Sequence, residues 1–224
     1  MESISTVPVT DPRSSAPVRT AEAPVSFVDA TTEEDAARAR LYALLSNLLA
    51  RPMGADILAA LAALQGDDGS DIGRALAALG AAARGADATD AEEEFSALFY
   101  GMGAGGELQP YGSFYRTGLV YDKPLADLRS DLARMGIAAR EGTTEPEDHA
   151  AFLCEVMHGL IVGTFGGAYS LDGQRGFFRA HLAPWIGRFF ADLEKAKSAR
   201  FYAAVGALGR LFMDIEGEGF AADA

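Results

Sequence analysis

TTEEDAARARLYALLSNLLARP, residues 31–52, is the stretch that decides the fold class. Thr31-x-x-Glu34 reads as a capping box, in which each side chain satisfies a free backbone N–H of the other residue. Behind it Ala37, Leu41, Leu44, Leu45, Leu48 and Leu49 recur at helical spacing until Pro52 ends the element. Leu and Ala are abundant throughout and β-branched residues are few, a balance that favours helix over strand.

The same pattern continues towards the C-terminus. Ile57, Leu58, Leu61 and Leu64 form a short helix stopped by Gly66, and Ile72, Leu76 and Leu79 form another stopped near Gly85. Thr89-x-x-Glu92 is a second capping box, opening a helix with Phe95, Leu98 and Phe99 on its apolar side. Residues 101–115 break the period as a Gly-rich, aromatic loop. Helix resumes after Pro124, with Leu125, Leu128, Leu132 and Met135, and Gly136 is its stop. Pro146 suits the first turn of the next helix, which carries Phe152, Leu153, Val156, Met157, Leu160 and Ile161. A long helix follows with Phe178, Leu182, Trp185, Ile186, Phe189 and Leu193. The last uses Phe201, Val205, Leu208, Leu211, Phe212 and Ile215. No strand, internal repeat or heptad run is evident. The prediction is an all-α protein, a single bundle of about eight helices over residues 31–224.

Towards the N-terminus, residues 1–30 carry Pro8, Pro12, Pro17 and Pro24 among Ser, Thr and Val, and predict a disordered Pro-rich tail. Arg13 and Arg19 precede no apolar run, so the tail does not read as a secretory signal, and no stretch approaches the roughly 20 apolar residues of a membrane span. A soluble, cytoplasmic protein is expected. The formal charge of -13 argues against nucleic acid as a partner, because phosphate binding needs clustered Lys and Arg. An acidic field suits a basic ligand, and equally serves solubility. The single cysteine, Cys154, excludes an intrachain disulfide and reads as a small buried hydrophobe.

Motifs for catalysis fail on context. Gly101-Met-Gly103-Ala-Gly105-Gly106 has dinucleotide-loop spacing, but a helix precedes it where a strand is required and irregular chain follows. Glu155-x-x-His158 is half of a di-iron pair with no second half. No nucleophile elbow occurs. The sequence predicts no catalytic residue, no metal and no cofactor.

Two segments stand apart from core packing. Pro110-Tyr111-Gly112-Ser113-Phe114-Tyr115 sets three aromatic rings in a loop, which either folds back on the core or lines a recognition groove. Glu145-Pro146-Glu147-Asp148-His149 crowds three acids and a His at a helix start. Acids there complement the helix macrodipole, and a charge-reading site beside an apolar face is the other reading.

With the acidic helix ending Leu98-Phe99-Tyr100-Gly101 and the stretch His181-Leu182-x-Pro184-Trp185-x-x-x-Phe189, these segments resemble the TorD/DmsD/NarJ family of redox-enzyme maturation chaperones, over residues 33–216. The TorD/DmsD branch fits better, since both the aromatic loop and the Asp-His pair are present; Tyr111 stands where some members carry Trp. The resemblance implies an all-helical cytoplasmic chaperone, not an enzyme. It would bind the twin-arginine signal peptide and apo form of a molybdopterin oxidoreductase of the DMSO reductase superfamily, with formate dehydrogenase among the candidates. The client would be held for cofactor insertion before Tat export, by a chaperone that is a monomer or homodimer. Leu98, Phe99, Pro110, Tyr111, Ser113, Tyr115, Glu145, Asp148 and His149 are then expected at the signal-peptide site. Asp148, supported by Glu145 or Glu147, would read the arginine pair, and His149 would fix the helix start and lend pH sensitivity. Leu98, Phe99, Tyr111 and Tyr115 would line the apolar groove, with Trp185 and His181 packing beneath. The alternatives are a NarJ-like assembly chaperone for a non-exported subunit and, third, a nucleotide-binding enzyme using the Gly101-to-Gly106 loop.

Overall fold

The computed structural model describes residues 18–19, 27–28, 32–101, 105–140 and 143–222. Among them are ten α-helices rather than about eight: α1 (Glu33–Ala50), α2 (Ala55–Ala62), α3 (Asp71–Arg84), α4 (Ala88–Phe95), α5 (Gly112–Thr117), α6 (Lys123–Arg134), α7 (Ala150–Val162), α8 (Leu171–Phe177), α9 (Ile186–Lys195) and α10 (Phe201–Ala222). The all-α prediction holds. One of the two extra helices arises because the expected long helix carrying Phe178 to Leu193 is broken. After α8 the chain makes a π-helical turn, Phe178–Leu182, and α9 begins only beyond Pro184, whose missing N–H cannot continue a helix. The other, α5, begins inside the loop predicted to be irregular.

Helix α7 is the centre of the molecule. Ten of its thirteen residues are buried, Phe152, Leu153, Val156, Met157, Leu160 and Ile161 among them, and a helix that is apolar all round belongs in a core. Helix α1 packs along it, burying Tyr42, Leu45, Leu48 and Leu49. Gly159 lets the Phe165 ring lie against α7, where a Cβ would stand 2.4 Å from that ring. Helices α9 and α10 form the other tight pair. A Cβ on Gly206 would stand 2.3 Å from the Glu194 backbone nitrogen, so this approach depends on the absence of a side chain.

Helix starts were predicted approximately. The box that opens α1 is Thr32 with Asp35, one residue later than expected; Thr31 lies outside the described residues. Helix α4 is capped by Asp87, not Thr89, through an Asp90 N–H bond of 2.9 Å. Helix α7 starts at Ala150, and Pro146 precedes it in a turn instead of occupying its first turn. The cap of α10 comes from a distant residue: the buried Glu94 carboxylate accepts the backbone N–H groups of Arg200, Phe201 and Tyr202 at 2.7, 3.1 and 2.7 Å. Another buried carboxylate, Glu216 of α10, takes Arg38 of α1 at 2.6 and 2.9 Å and the Tyr42 hydroxyl at 2.8 Å, so its charge is compensated inside the fold.

The sequence showed no strand, yet four two-residue segments pair. Val18–Arg19 (β1) runs antiparallel to Ile137–Ala138 (β3), and Phe27–Val28 (β2) to Ala168–Tyr169 (β4). Pairings this short have no alternating run to betray them. Two pieces of the stretch expected to be disordered are thus placed, and the rest of residues 1–31 lies outside the described residues. Among the described residues no helix is long and apolar enough to cross a membrane.

Candidate functional site

The structure brings the two unusual segments together. Tyr111 and His149 face each other as an antiparallel bridge. On either side of them Gly112 N–H donates to the Asp148 carbonyl at 2.9 Å and Ala150 N–H donates to the Pro110 carbonyl at 2.8 Å. Residues 110–113 and 145–150 are therefore one unit, joined through the main chain and seated on the N-terminal end of α7. Glycine at 112 suits the close packing here, because a Cβ would lie 3.0 Å from Trp185 Nε1 and the indole would have to give by a few tenths of an ångström.

Side chains reinforce the junction. The Tyr111 hydroxyl donates to Glu145 Oε2 at 2.6 Å, and its ring lies 5.3 Å from the His149 ring. Burial, followed by the hydrogen bond to Glu145, raises the Tyr111 hydroxyl far above its ordinary pKa, so it stays a donor. His149 is the N-cap of α7, its Nδ1 accepting Ala151 N–H at 3.1 Å. Burial pushes its pKa down to about 4. The imidazole is consequently neutral near pH 7, which removes the expected sensitivity there.

Asp148 is the main surprise. Only 3% of it is exposed, and its Oδ2 accepts Ser113 N–H at 2.6 Å, which caps α5 from outside that helix. Its Oδ1 and the buried Ser113 hydroxyl have no hydrogen-bond partner among the described residues. Asp148 and Ser113 thus hold the site from beneath; neither is open to a large ligand. Of the other acids, Glu147 is paired with Arg129 at 2.8 Å, whereas Glu145 is half-buried and bonded to an uncharged hydroxyl.

The remaining expected residues divide by burial. Leu98, in the π-helical turn Ser96–Tyr100, is fully buried and belongs to the core. Phe99 is half-buried against Phe95 and Tyr202, with ring centroids 4.8 and 5.9 Å away. Pro110 is buried. Tyr115 is half-buried, its ring 5.6 Å from Trp185 and beneath the Arg188 guanidinium at 5.5 Å, with its hydroxyl donating to Asp192 at 2.9 Å. Beside it opens a cleft of about 470 Å³ lined by Leu108, Phe114, Tyr115, Arg116, Arg188 and Asp192 among others. Trp185 is core, as expected, and donates to the His181 carbonyl at 2.8 Å.

The sequence reading missed a run of exposed apolar residues, Leu119, Val120 and Tyr121, with Tyr100 and Phe114 also exposed. The signal was available: three large apolar residues in a row between Gly118 and Asp122 have no helical or strand period that would bury them. The dinucleotide spacing at Gly101 follows a π-helical turn, where a phosphate-binding loop follows a strand. Its first glycine ends a π-helical turn, and the chain then bonds back, Leu108 N–H to the Leu98 carbonyl at 2.8 Å; residues 102–104 lie outside the described residues. His158 Nδ1 sits 3.0 Å from the Ala39 carbonyl, a link between α7 and α1.

Comparison with known proteins agrees with the architecture. A family model described as the nitrate reductase delta subunit matches residues 65–191. The chaperone protein TorD of Vibrio atlanticus is 29% identical over 139 residues, covering 57% of this chain and 64% of the relative. TorD of Aliivibrio fischeri is 32% identical over 139 residues with the same shares. The chain therefore spans somewhat under two thirds of the length of these curated relatives. A crystal structure of a chain described as a redox enzyme maturation protein from Archaeoglobus fulgidus superposes with a TM-score of 0.53 at 20% identity, covering 84% of this chain and 98% of that one. At that identity the superposition speaks for the fold.

Proposed function

This chain belongs to the nitrate reductase delta subunit family, the family to which its 98–101, 110–115 and 145–149 segments point, and we propose that it works as a maturation chaperone for a molybdenum-containing oxidoreductase. Its task is to bind the twin-arginine signal peptide of the apo catalytic subunit in the cytoplasm and hold that client until its cofactor is in place and export can proceed. Relatives that match it are named as chaperones, not as catalysts.

The observation that carries the reading is the ladder that locks 110–113 against 145–150. It sets a half-buried carboxylate, Glu145, on the Tyr111 hydroxyl, in a chain that also leaves Tyr100, Phe114 and residues 119–121 exposed. A twin-arginine signal offers the complementary chemistry, two guanidinium groups followed by an apolar stretch. Guanidinium and carboxylate form charge-assisted hydrogen bonds of about 1.5–3 kcal/mol each. Burying about 500 Å² of apolar peptide surface contributes roughly 12 kcal/mol before costs. Ordering a flexible peptide removes much of this, leaving a net of about -8 kcal/mol, in the micromolar range. Release remains easy at that strength, as a hand-over requires. The net charge of -13 also draws a basic segment towards the molecule.

Titration with a twin-arginine signal peptide and with its Lys-Lys variant tests the proposal. It expects binding near the micromolar range and a clear preference for arginine; no binding of either peptide would overturn it. A second reading is favoured by the matched family's description. A chaperone of the NarJ kind would recognise the N-terminal segment of a non-exported subunit, and would bind both peptides alike.

A further inference from the structure

A larger opening lies away from the segments considered so far. Helices α1, α3, α8 and α10, with Tyr169 of β4, line a groove of about 610 Å³, within the size range of ligand pockets. None of its lining residues belongs to 98–101, 110–115 or 145–149. Its walls are largely apolar, with Leu41, Ile72, Phe212 and Phe220 joined by Leu171 and Ile215, which are 39% and 42% exposed. Large aliphatic side chains left in water along an apolar groove are surface that a partner can cover.

The charge of the lining is unbalanced. Arg38 donates to Glu216 at 2.6 and 2.9 Å, to Asp35 at 2.9 Å and to the Gln174 side-chain carbonyl at 3.1 Å. Its guanidinium is thus shared between two carboxylates. Glu34, also in the lining, has no ion pair among the described residues. Three carboxylates face one guanidinium, an excess of two negative charges that a cation from outside would complement.

Gly219 is a second, independent sign. It lies near the end of α10 and lines the groove, and a Cβ there would meet nothing within 4 Å. Packing inside the fold does not call for glycine at this position, and glycine weakens a helix relative to alanine. A bare position of this kind lets another backbone come close.

We propose that the groove between α1 and α10 is a second docking site, which takes the apolar face of an amphipathic helix from another protein with a Lys or Arg of that helix set against Glu34 and Asp35. Burial of the apolar face supplies the affinity, as for other helices laid in grooves, and the carboxylates select the sign of the charge. The site stands apart from the signal-peptide segments and does not rest on that reading.

Anisotropy of a labelled helical peptide of Leu and Lys, measured on the full chain beside its Leu-Glu and Ser-Lys counterparts, tests the groove. The Leu-Lys peptide should bind at least about tenfold more tightly than either counterpart. Ile215→Ser should weaken it about three- to tenfold, whereas Val162→Ser, at a position 43% exposed and outside the lining, should not. Gly219→Leu separates binding from folding. With open space at that Cβ, its Tm should equal or exceed that of the parent while Leu-Lys binding falls about tenfold or more. Gly217→Leu, as open at its Cβ but outside the lining, should leave binding unchanged. Glu145→Gln should also leave it unchanged, so that failure of this site and failure of the signal-peptide reading stay distinguishable. Equal binding of the Ser-Lys peptide would reduce the attraction to the net charge of -13 and overturn the proposal, as would intact binding by Gly219→Leu. A concentration-dependent dimer in sedimentation, abolished by Ile215→Ser, would assign the groove to a second copy of the chain and overturn it equally.

Discussion

Asp148→Ala separates the buried cap from a contact surface. In the structure Asp148 Oδ2 accepts Ser113 N–H at 2.6 Å, at a site 3% exposed to solvent. Alanine leaves that N–H without an acceptor where water cannot readily replace it. The loss of a hydrogen bond to a charged group costs about 1.5–3 kcal/mol. For a chain of this size each kcal/mol moves Tm by about 2–4 °C, so a fall of about 3–12 °C is expected. The two main-chain bonds of the ladder survive the substitution, so peptide affinity should decline only as far as α5 loosens. Asp148→Asn, which keeps an acceptor oxygen, should recover part of the stability. Calorimetry or thermal unfolding by circular dichroism reads the first quantity, and peptide titration reads the second. An unchanged Tm together with abolished binding would refute the reasoning, because it would make Asp148 a contact residue open to the ligand.

Two further outcomes follow from the same geometry. His149 has its pKa lowered to about 4 by burial, whereas in the unfolded chain it titrates near its ordinary 6.5. Between those values the unfolded state takes up the proton and the folded state does not, so stability falls as pH is lowered through that window, by up to about 1.4 kcal/mol per pH unit. His149→Asn, a capping residue that does not titrate, should flatten the urea midpoint between pH 7 and 5; burial also lowers the His181 pKa, so part of the slope remains. An identical slope in the variant would contradict the assignment. Gly206→Ala adds a Cβ 2.3 Å from the Glu194 backbone nitrogen, which forces α9 and α10 apart. Overpacking of about 1–3 kcal/mol should outweigh the helix-propensity gain of up to about 1 kcal/mol, and a raised urea midpoint would show that the pair can shift at little cost.

Helix content was legible because α1, α7 and α10 each carry apolar residues at helical spacing, although the buried face is only partly the expected one. In α1 Leu45, Leu48 and Leu49 are buried as the period predicts, with Tyr42 in place of Ala37, and in α10 Phe201, Val205, Leu208 and Phe212 are buried while Ile215 is exposed. Boundaries were less so. Several adjacent Thr, Asp and Glu residues could each cap α1 or α4, and only tertiary geometry selects Thr32 and Asp87. The break at 178–185 was signalled by Pro184, yet the apolar spacing on both sides concealed it. Within the candidate site the sequence picked out both segments that meet, but not the direction of their side chains. Asp148 and Glu145 look equivalent as letters. One is turned beneath α5 by the ladder register, and the other stays at the rim. Leu98 was placed at the groove by resemblance and is fully buried, while residues 119–121, which no family motif marks, are exposed.

Hydrogen exchange of the full chain, with and without a saturating twin-arginine signal peptide, tests the central claim most directly. The account predicts that peptide-dependent protection concentrates at 98–101, 110–121 and 145–149, the last two being joined by the Tyr111–His149 bridge. Protection elsewhere, for instance along α1 and α10 with this region unaffected, would contradict it.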